Sequence, residues 1–255
     1  GSMVQLNTPS YQSFTYGDAF ADVYDDWYTR IAEVSNVEGT VALISNLSEG
    51  LDVLELGVGT GRLALPIAAM GVPTTGVDSS SEMLKRLTAR DTSGLVTTHL
   101  ADMASWLPTG PFKVIFCAYN TFFNLVDPDD QEKCLQLVGD RLTPDGLFIV
   151  EAFVPSNYPL LATRGVESRH MTDATVLNIS IREPSTGLIR GQSIEIKETG
   201  VTLRPWRILI KTPDELDQVA TRHGLKLVDR WQDWHQSPFT SSSDHHVSVY
   251  APITV

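Results

Sequence analysis

The sequence predicts an α/β fold: a doubly wound, mostly parallel seven-stranded sheet with its last strand antiparallel, helices ahead of it, and a small antiparallel β insertion after the fifth strand. Three observations predict it. Apolar strand-like runs alternate with helical patterns from about residue 51 to residue 155, the rhythm of parallel βαβ units. Between residues 156 and 210 short alternating runs around a Pro-Ser-Thr-Gly turn replace that rhythm, as in an antiparallel sheet. A helix and two strands then close the chain. This divides the sequence into a helical lead-in (4–50), a core (51–155 and 211–255) and the insertion (156–210).

From about Ser13 to Leu47 the pattern is helical, with Phe14, Phe20, Val23, Tyr24, Trp27 and Tyr28 close to one face. "LDVLELG" then reads as a buried strand, "GRLALPIAAMG" as a helix closed by Gly71, and "TTGVD" as a second strand. A serine of the Ser79–Ser81 run caps the helix "SSEMLKRLTAR". "VTTHLAD", "FKVIFCAY" and "GLFIVEAFV" are three further strands, with the helix "QEKCLQLVGDRL" before the last of them. In the final part Thr212 caps "TPDELDQVATRHG" and Gly224 ends it. The strands "LKLVDRWQDW" and "HHVSVYAP" follow, separated by a Ser-rich turn.

With 255 residues and 42% hydrophobic content, the chain can bury a full core. Residues Gly1 to Met3 read as an expression remnant. No basic segment leads into an apolar one, and no apolar run reaches the roughly 20 residues of a bilayer span, so a cytoplasmic protein without a membrane partner is expected. The net charge of −12, without any cluster of Lys and Arg, argues against nucleic acid and for a small-molecule substrate. Cys117 and Cys134 lack metal-type spacing and are expected as reduced thiols. His245 and His246 flank the last strand, and "DPDD" at residues 127–130 reads as a helix start, so no metal site is expected.

The most informative stretch is "LDVLELGVGTGR", residues 51–62. A glycine turn after a strand suits several nucleotide-like ligands. A dinucleotide site needs G-x-G-x-x-G, but Gly57, Gly59 and Gly61 run G-x-G-x-G and Arg62 stands where the third glycine belongs. No Gly-Lys-Ser/Thr follows, which excludes a P-loop. Glu55, at the carboxyl end of the first strand, would repel a pyrophosphate but can help hold a cationic group. Asp78 ends the second strand, where an acid accepts from ribose hydroxyls, a feature that also suits NAD.

Residues 53–84, "VLELGVGTGRLALPIAAMGVPTTGVDSSSEML", resemble the first two motifs of class I S-adenosylmethionine-dependent methyltransferases. The resemblance implies a Rossmann-like fold, S-adenosyl-L-methionine as cofactor and S-adenosyl-L-homocysteine as product. It further implies cofactor contacts at Glu55, Gly57, Gly59, Asp78 and Ser79, with Met83 by the adenine. In "ADM", Asp102 matches the acid that accepts from the adenine amino group, with Met103 beside it, and Cys117 matches a position whose backbone carbonyl faces the methionine ammonium.

The lead-in "YGDAFADVYDDWY" resembles that of the small-molecule N-methyltransferase branch, which includes deoxysugar-amine and antibiotic-pathway enzymes. There this helix folds over the cofactor. Tyr16 matches a tyrosine near the methionine end, and Tyr24 and Tyr28 are candidates for the acceptor site, although an aromatic stripe at helical spacing serves equally as core. Deoxysugar-amine methyltransferases commonly carry a histidine after the fourth strand, and here Asn124 of "CAYNTFFNL" takes its place. That departure favours positioning over proton abstraction, with Tyr16, Tyr24 and Asn124 as catalytic candidates. Phe122 and Phe123 are expected as pocket walls. Arg207 is expected at the acceptor from the insertion, which stays open between a lid and a subunit contact in a homo-oligomer. The expected reaction is methyl transfer to an amine of a small metabolite, with metal-independent O-methylation and a non-catalytic cofactor-binding protein as alternatives.

Overall fold

The computed structural model describes residues 11–29, 36–157, 164–170 and 173–253. Its centre is a seven-stranded sheet in the order β10-β11-β5-β4-β1-β2-β3. The strands are β1 (Val53–Leu56), β2 (Thr74–Asp78), β3 (Val96–Leu100), β4 (Phe112–Cys117), β5 (Leu142–Phe153), β10 (Leu225–Trp231) and β11 (His245–Pro252). β1 pairs in parallel with β2 and β4, and only β11 runs against its neighbours β5 and β10. The strand order reverses between β1 and β4, so the sheet opens a crevice at their carboxyl ends, where α/β folds bind ligands.

β1 and β4 are buried along their whole length because helices cover both faces of the sheet, which explains their largely apolar sequences, with Lys113 the charged residue of β4. Glu55 is the exception inside β1, a carboxyl with 4% exposure. The helices start where their caps dictate. Ser80 accepts from the Met83 N–H at the start of α5 (Ser81–Arg90), and Asp127 accepts from Asp129 ahead of Pro128 in α6 (Pro128–Arg141). Thr212 and Glu215 form a reciprocal capping box on α7 (Pro213–Arg222). α4 (Ala64–Ala69) follows the glycine turn and packs Ile67 and Ala68 into the core.

Among its described residues the lead-in has three helices, α1 (Thr15–Phe20), α2 (Tyr24–Thr29) and α3 (Val37–Ser48). α1 lies on α5 and on the insertion. The insertion is a separate four-stranded antiparallel sheet of β6 (Arg164–His170), β7 (Thr175–Arg182), β8 (Leu188–Lys197) and β9 (Gly200–Leu209). Phe20, Val23 and Trp27 pack against Val176 of this second sheet, whereas Phe14 of the same stripe is exposed. Among the described residues no helix is long and apolar enough to cross a membrane.

Candidate active site

The glycine turn after β1 takes its shape from backbone signs. Gly57 has φ 71° and Gly59 has φ 57°. A Cβ on Gly57 would stand 2.3 Å from the Thr121 methyl, whereas one on Gly59 would meet nothing within 4 Å and project into open space. The turn is tied to β2 by Asp78. Its carboxylate accepts from the Gly59 N–H at 2.8 Å and from the Ser80 N–H at 2.9 Å. Burial pushes the Asp78 carboxyl up, and the Ser80, Gly59 and Ser79 amides oppose that rise.

In front of this turn is a narrow cleft of about 80 Å³, lined by Tyr16, Asp78, Met83, Asp102, Thr121 and Asn124 among others. Gly57, Gly59, Ser79 and Met103 also border it. One oxygen of Asp102 accepts from the Ala104 N–H at 2.9 Å and so fixes the carboxylate at the end of β3. Glu55 lies behind the turn. Burial pushes its carboxyl up to about 8, against the nearby Arg62 guanidinium, and its Oε2 is a buried oxygen with no hydrogen-bond partner. Cys117 is fully buried at the end of β4 and is not among the lining residues, and burial raises its thiol.

The lead-in covers the cleft through three tethers. Ser79 donates to the Ser13 carbonyl at 2.9 Å, and Ser80 to Asp18 at 2.5 Å. Thr60 and Arg90 both donate to Asp25, at 2.6 and 3.1 Å. Gly17 permits this approach, because a Cβ there would lie 2.4 Å from the Ser80 Cβ.

A second cavity, about 270 Å³, opens beside the cleft. Its walls come from three parts of the chain: Phe20 and Trp27 of the lead-in, Tyr119 and Phe153 near the ends of β4 and β5, and the inner face of the insertion. Period-2 alternation decides which insertion residues face inward. Asn178, Ser180, Ser193, Trp206 and Ile208 line the cavity. Tyr16, Tyr24, Thr121 and Asn124 border both spaces and form the junction between them.

Two expectations need correction. Phe122 and Phe123 are not pocket walls; both are fully buried in the main core, and neither borders the cleft or the cavity. They belong to a single 3₁₀ turn, Thr121–Asn124, with three residues per turn. Positions 121 and 124 therefore share the face toward the junction while 122 and 123 turn into the core. Arg207 does not reach the cavity either. Alternation puts it on the face of β9 opposite Trp206 and Ile208, and its guanidinium stacks 4.8 Å above the Tyr11 ring. The Tyr28 side chain lies outside the described residues. Sequence reasoning missed Thr121, Gly17, Asn178 and Ser193. The last two lie on the inward faces of β7 and β8, which are polar at further positions too, Ser180 and Glu195, so no single polar residue marked them in the sequence.

Comparison with known proteins fits this geometry. A family profile described as a methyltransferase domain matches residues 53–146. The structure of the CcbJ methyltransferase from Streptomyces caelestis is 34% identical and superposes with a TM-score of 0.90, over 96% of this chain and 100% of that one. The chain belongs to the S-adenosylmethionine-dependent methyltransferases. Two more distant structures share this methyltransferase's fold. The sugar N-methyltransferase KedS8 from Streptoalloteichus sp. has a TM-score of 0.67 at 17% identity, covering 98% of this chain and 99% of that one. CalS10 from Micromonospora echinaspora, an amino pentose methyltransferase involved in calicheamicin biosynthesis and solved with the cofactor bound, has a TM-score of 0.69 at 15% identity, covering 96% and 99%. No curated protein matches the sequence of this methyltransferase significantly.

The residues present suit S-adenosylmethionine. The open space before Gly59 admits a ligand close to the backbone, and the unpartnered Glu55 oxygen lies behind the same turn. When bound, the cofactor supplies a methyl group on a sulfonium, which leaves by in-line displacement.

Proposed function

We propose that this methyltransferase methylates an amine nitrogen of a small polar metabolite, and that an antibiotic or related secondary-metabolite pathway is its setting. One observation carries the choice of amine. The junction consists of Tyr16, Tyr24, Thr121 and Asn124, with neither an imidazole nor a carboxylate among them. A hydroxyl must give up a proton during attack, and that calls for a positioned base. A neutral amine attacks with its own lone pair and sheds its proton afterwards. The chain then contributes by holding the nitrogen in line and excluding water, which is catalysis by proximity and orientation. Among the described residues the cavity's one carboxylate wall residue, Glu167, is exposed on β6 and does not border the cleft. The sugar-amine activities of KedS8 and CalS10 support the same reading.

In this reading Asp78 accepts from the ribose hydroxyls, Met83, Asp102 and Met103 hold the adenine, and Gly57 and Gly59 admit the methionine end. Glu55 faces the ammonium side, with the Cys117 carbonyl as a further acceptor. Tyr16, Tyr24 and Asn124 orient the acceptor, with Thr121 beside them. The lead-in acts as a lid, and the insertion as the outer wall of the acceptor site.

The test is turnover with S-adenosylmethionine against paired acceptors, amino sugars and their hydroxyl counterparts, with the methylated atom located by mass spectrometry and NMR. Methylation of the amines is expected. The acid limb of the pH profile should move with the acceptor, by about one unit for two amines whose ammonium pKa values differ by about one unit. Methylation of the hydroxyl compounds with the amines untouched would establish an O-methyltransferase instead.

A further inference from the structure

Two residues beside the junction hold an unusual backbone. Tyr119 and Asn120, consecutive and neither of them glycine, have φ 58° and 59°. Side chains disfavour this left-handed region, and a pair of such residues persists only where its surroundings over-determine it. The surroundings here centre on β5. The Tyr119 N–H donates to the Glu151 carboxylate at 2.7 Å, and the Asn120 N–H donates to the Glu151 carbonyl at 3.0 Å. The Asn120 side-chain oxygen in turn accepts from the Phe153 N–H at 2.7 Å. The Arg62 guanidinium lies over the Tyr119 ring, 5.6 Å from its centre. Burial raises the Glu151 carboxyl, while the Tyr119 amide, Trp234, His245 and Arg62 favour its ionised form.

The consequence of this turn lies one residue further on. Directly after Asn120 the chain enters the 3₁₀ turn that presents Thr121 and Asn124 to the junction, and the Thr121 methyl fills the space that Gly57 leaves. Were the turn to relax into an ordinary extended conformation, Thr121 and Asn124 would leave that face. Glu151 itself borders neither the cleft nor the cavity.

We propose that Glu151 is a positioning residue for methyl transfer, one that clamps the Tyr119–Asn120 turn and so holds Thr121 and Asn124 beside the transferring methyl group. The inference concerns the established transfer and is independent of which acceptor atom is methylated. Its test therefore uses the cofactor alone, S-adenosylmethionine carrying ¹³C in the transferable methyl, bound to the intact protein and observed by NMR. In Glu151→Ala the cofactor Kd from calorimetry should stay within about threefold of the parent. The bound methyl resonance should nevertheless move. Glu151→Gln retains an oxygen for the Tyr119 N–H and should return the resonance most of the way. Asn120→Gly tolerates the positive φ but removes the acceptor for Phe153, so it should move the resonance in the same direction by less, and it carries the test if Glu151→Ala does not fold. An unmoved resonance in both Glu151→Ala and Asn120→Gly, a Kd weakened by more than about threefold, or a Glu151→Gln spectrum no closer to the parent than that of Glu151→Ala would overturn the proposal.

Discussion

The cofactor cleft and the acceptor cavity share four residues, yet they are built by different means. The cleft is built at the carboxyl edge of the sheet from a glycine turn, a helix cap and two strand ends, all within residues 53–125 apart from the lead-in that covers them. The cavity is made of side chains from the lead-in, the β4–β5 edge and the insertion, which meet only in the folded chain. In the proposed reading the first holds the cofactor on local elements of the sheet, and the second leaves the acceptor to surfaces outside it. Arg204 is the bolt of that second design, donating from β9 to the Ala19 carbonyl, to Asp22 and to the buried Glu195, at 2.7 to 3.2 Å.

That contrast can be broken at defined points. The largest effect is expected at the bolt. Arg204→Ala leaves Glu195 with Lys197 as its remaining ionic partner and cuts the ties to Ala19 and Asp22, and should cost about 3 kcal/mol in chemical denaturation, the low end for breaking a buried pair, while cofactor affinity per folded molecule holds. Replacing Arg204 and Glu195 together by apolar residues should recover most of it. Next comes Asp78→Ala, which removes the carboxylate that braces the turn through the Gly59 and Ser80 amides and, in the proposed reading, accepts from the ribose. Calorimetry should show cofactor binding weakened about 100-fold, as the loss of two charge-assisted hydrogen bonds to the ribose implies, with acceptor-cavity variants unaffected. Unchanged affinity would remove Asp78 from the cofactor site.

Glu55 sharpens the comparison through pH. Its carboxyl stays protonated in the fold up to about 8, whereas the unfolded chain releases that proton near the ordinary 4.5 of a glutamate. The folded state thus holds the extra proton between those values, and its stability should fall as pH rises from about 4.5 to about 8, then level off. Melting temperatures of the cofactor-free protein across that window should show the slope, and Glu55→Gln should flatten it. The smallest effect is expected at Ser80→Ala, which removes both the α5 cap and the tether to Asp18. A loss of about 1 kcal/mol in stability is expected from the cap, together with a modest weakening of cofactor binding as the lid loosens.

The sheet was legible because its signals are local. "VLELGVGTG" carries its strand, its turn and its acid in nine residues, and Asp78 at the end of the next strand completes the ligand's outline. Caps at Asp127 and Thr212 were legible for the same reason: the capping side chain and the amide it satisfies lie within three residues. Tyr16, Tyr24 and Asn124 were found by resemblance, and the structure brings all three to one junction. Phe122, Phe123 and Arg207 were misread because their direction depends on a 3₁₀ turn and on strand parity, and a shift of one residue reverses either.

The sequence alone therefore determined the doubly wound sheet and the insertion, which are written in periodicity, and its resemblance to methyltransferase motifs over residues 53–84 pointed to the cofactor. Tertiary structure decided which face of the insertion looks inward, how the lead-in is tethered over the cleft, and that Glu151 reaches Tyr119. Those contacts join residues far apart in the chain. Their geometry is set by packing and by buried hydrogen bonds that no local pattern encodes.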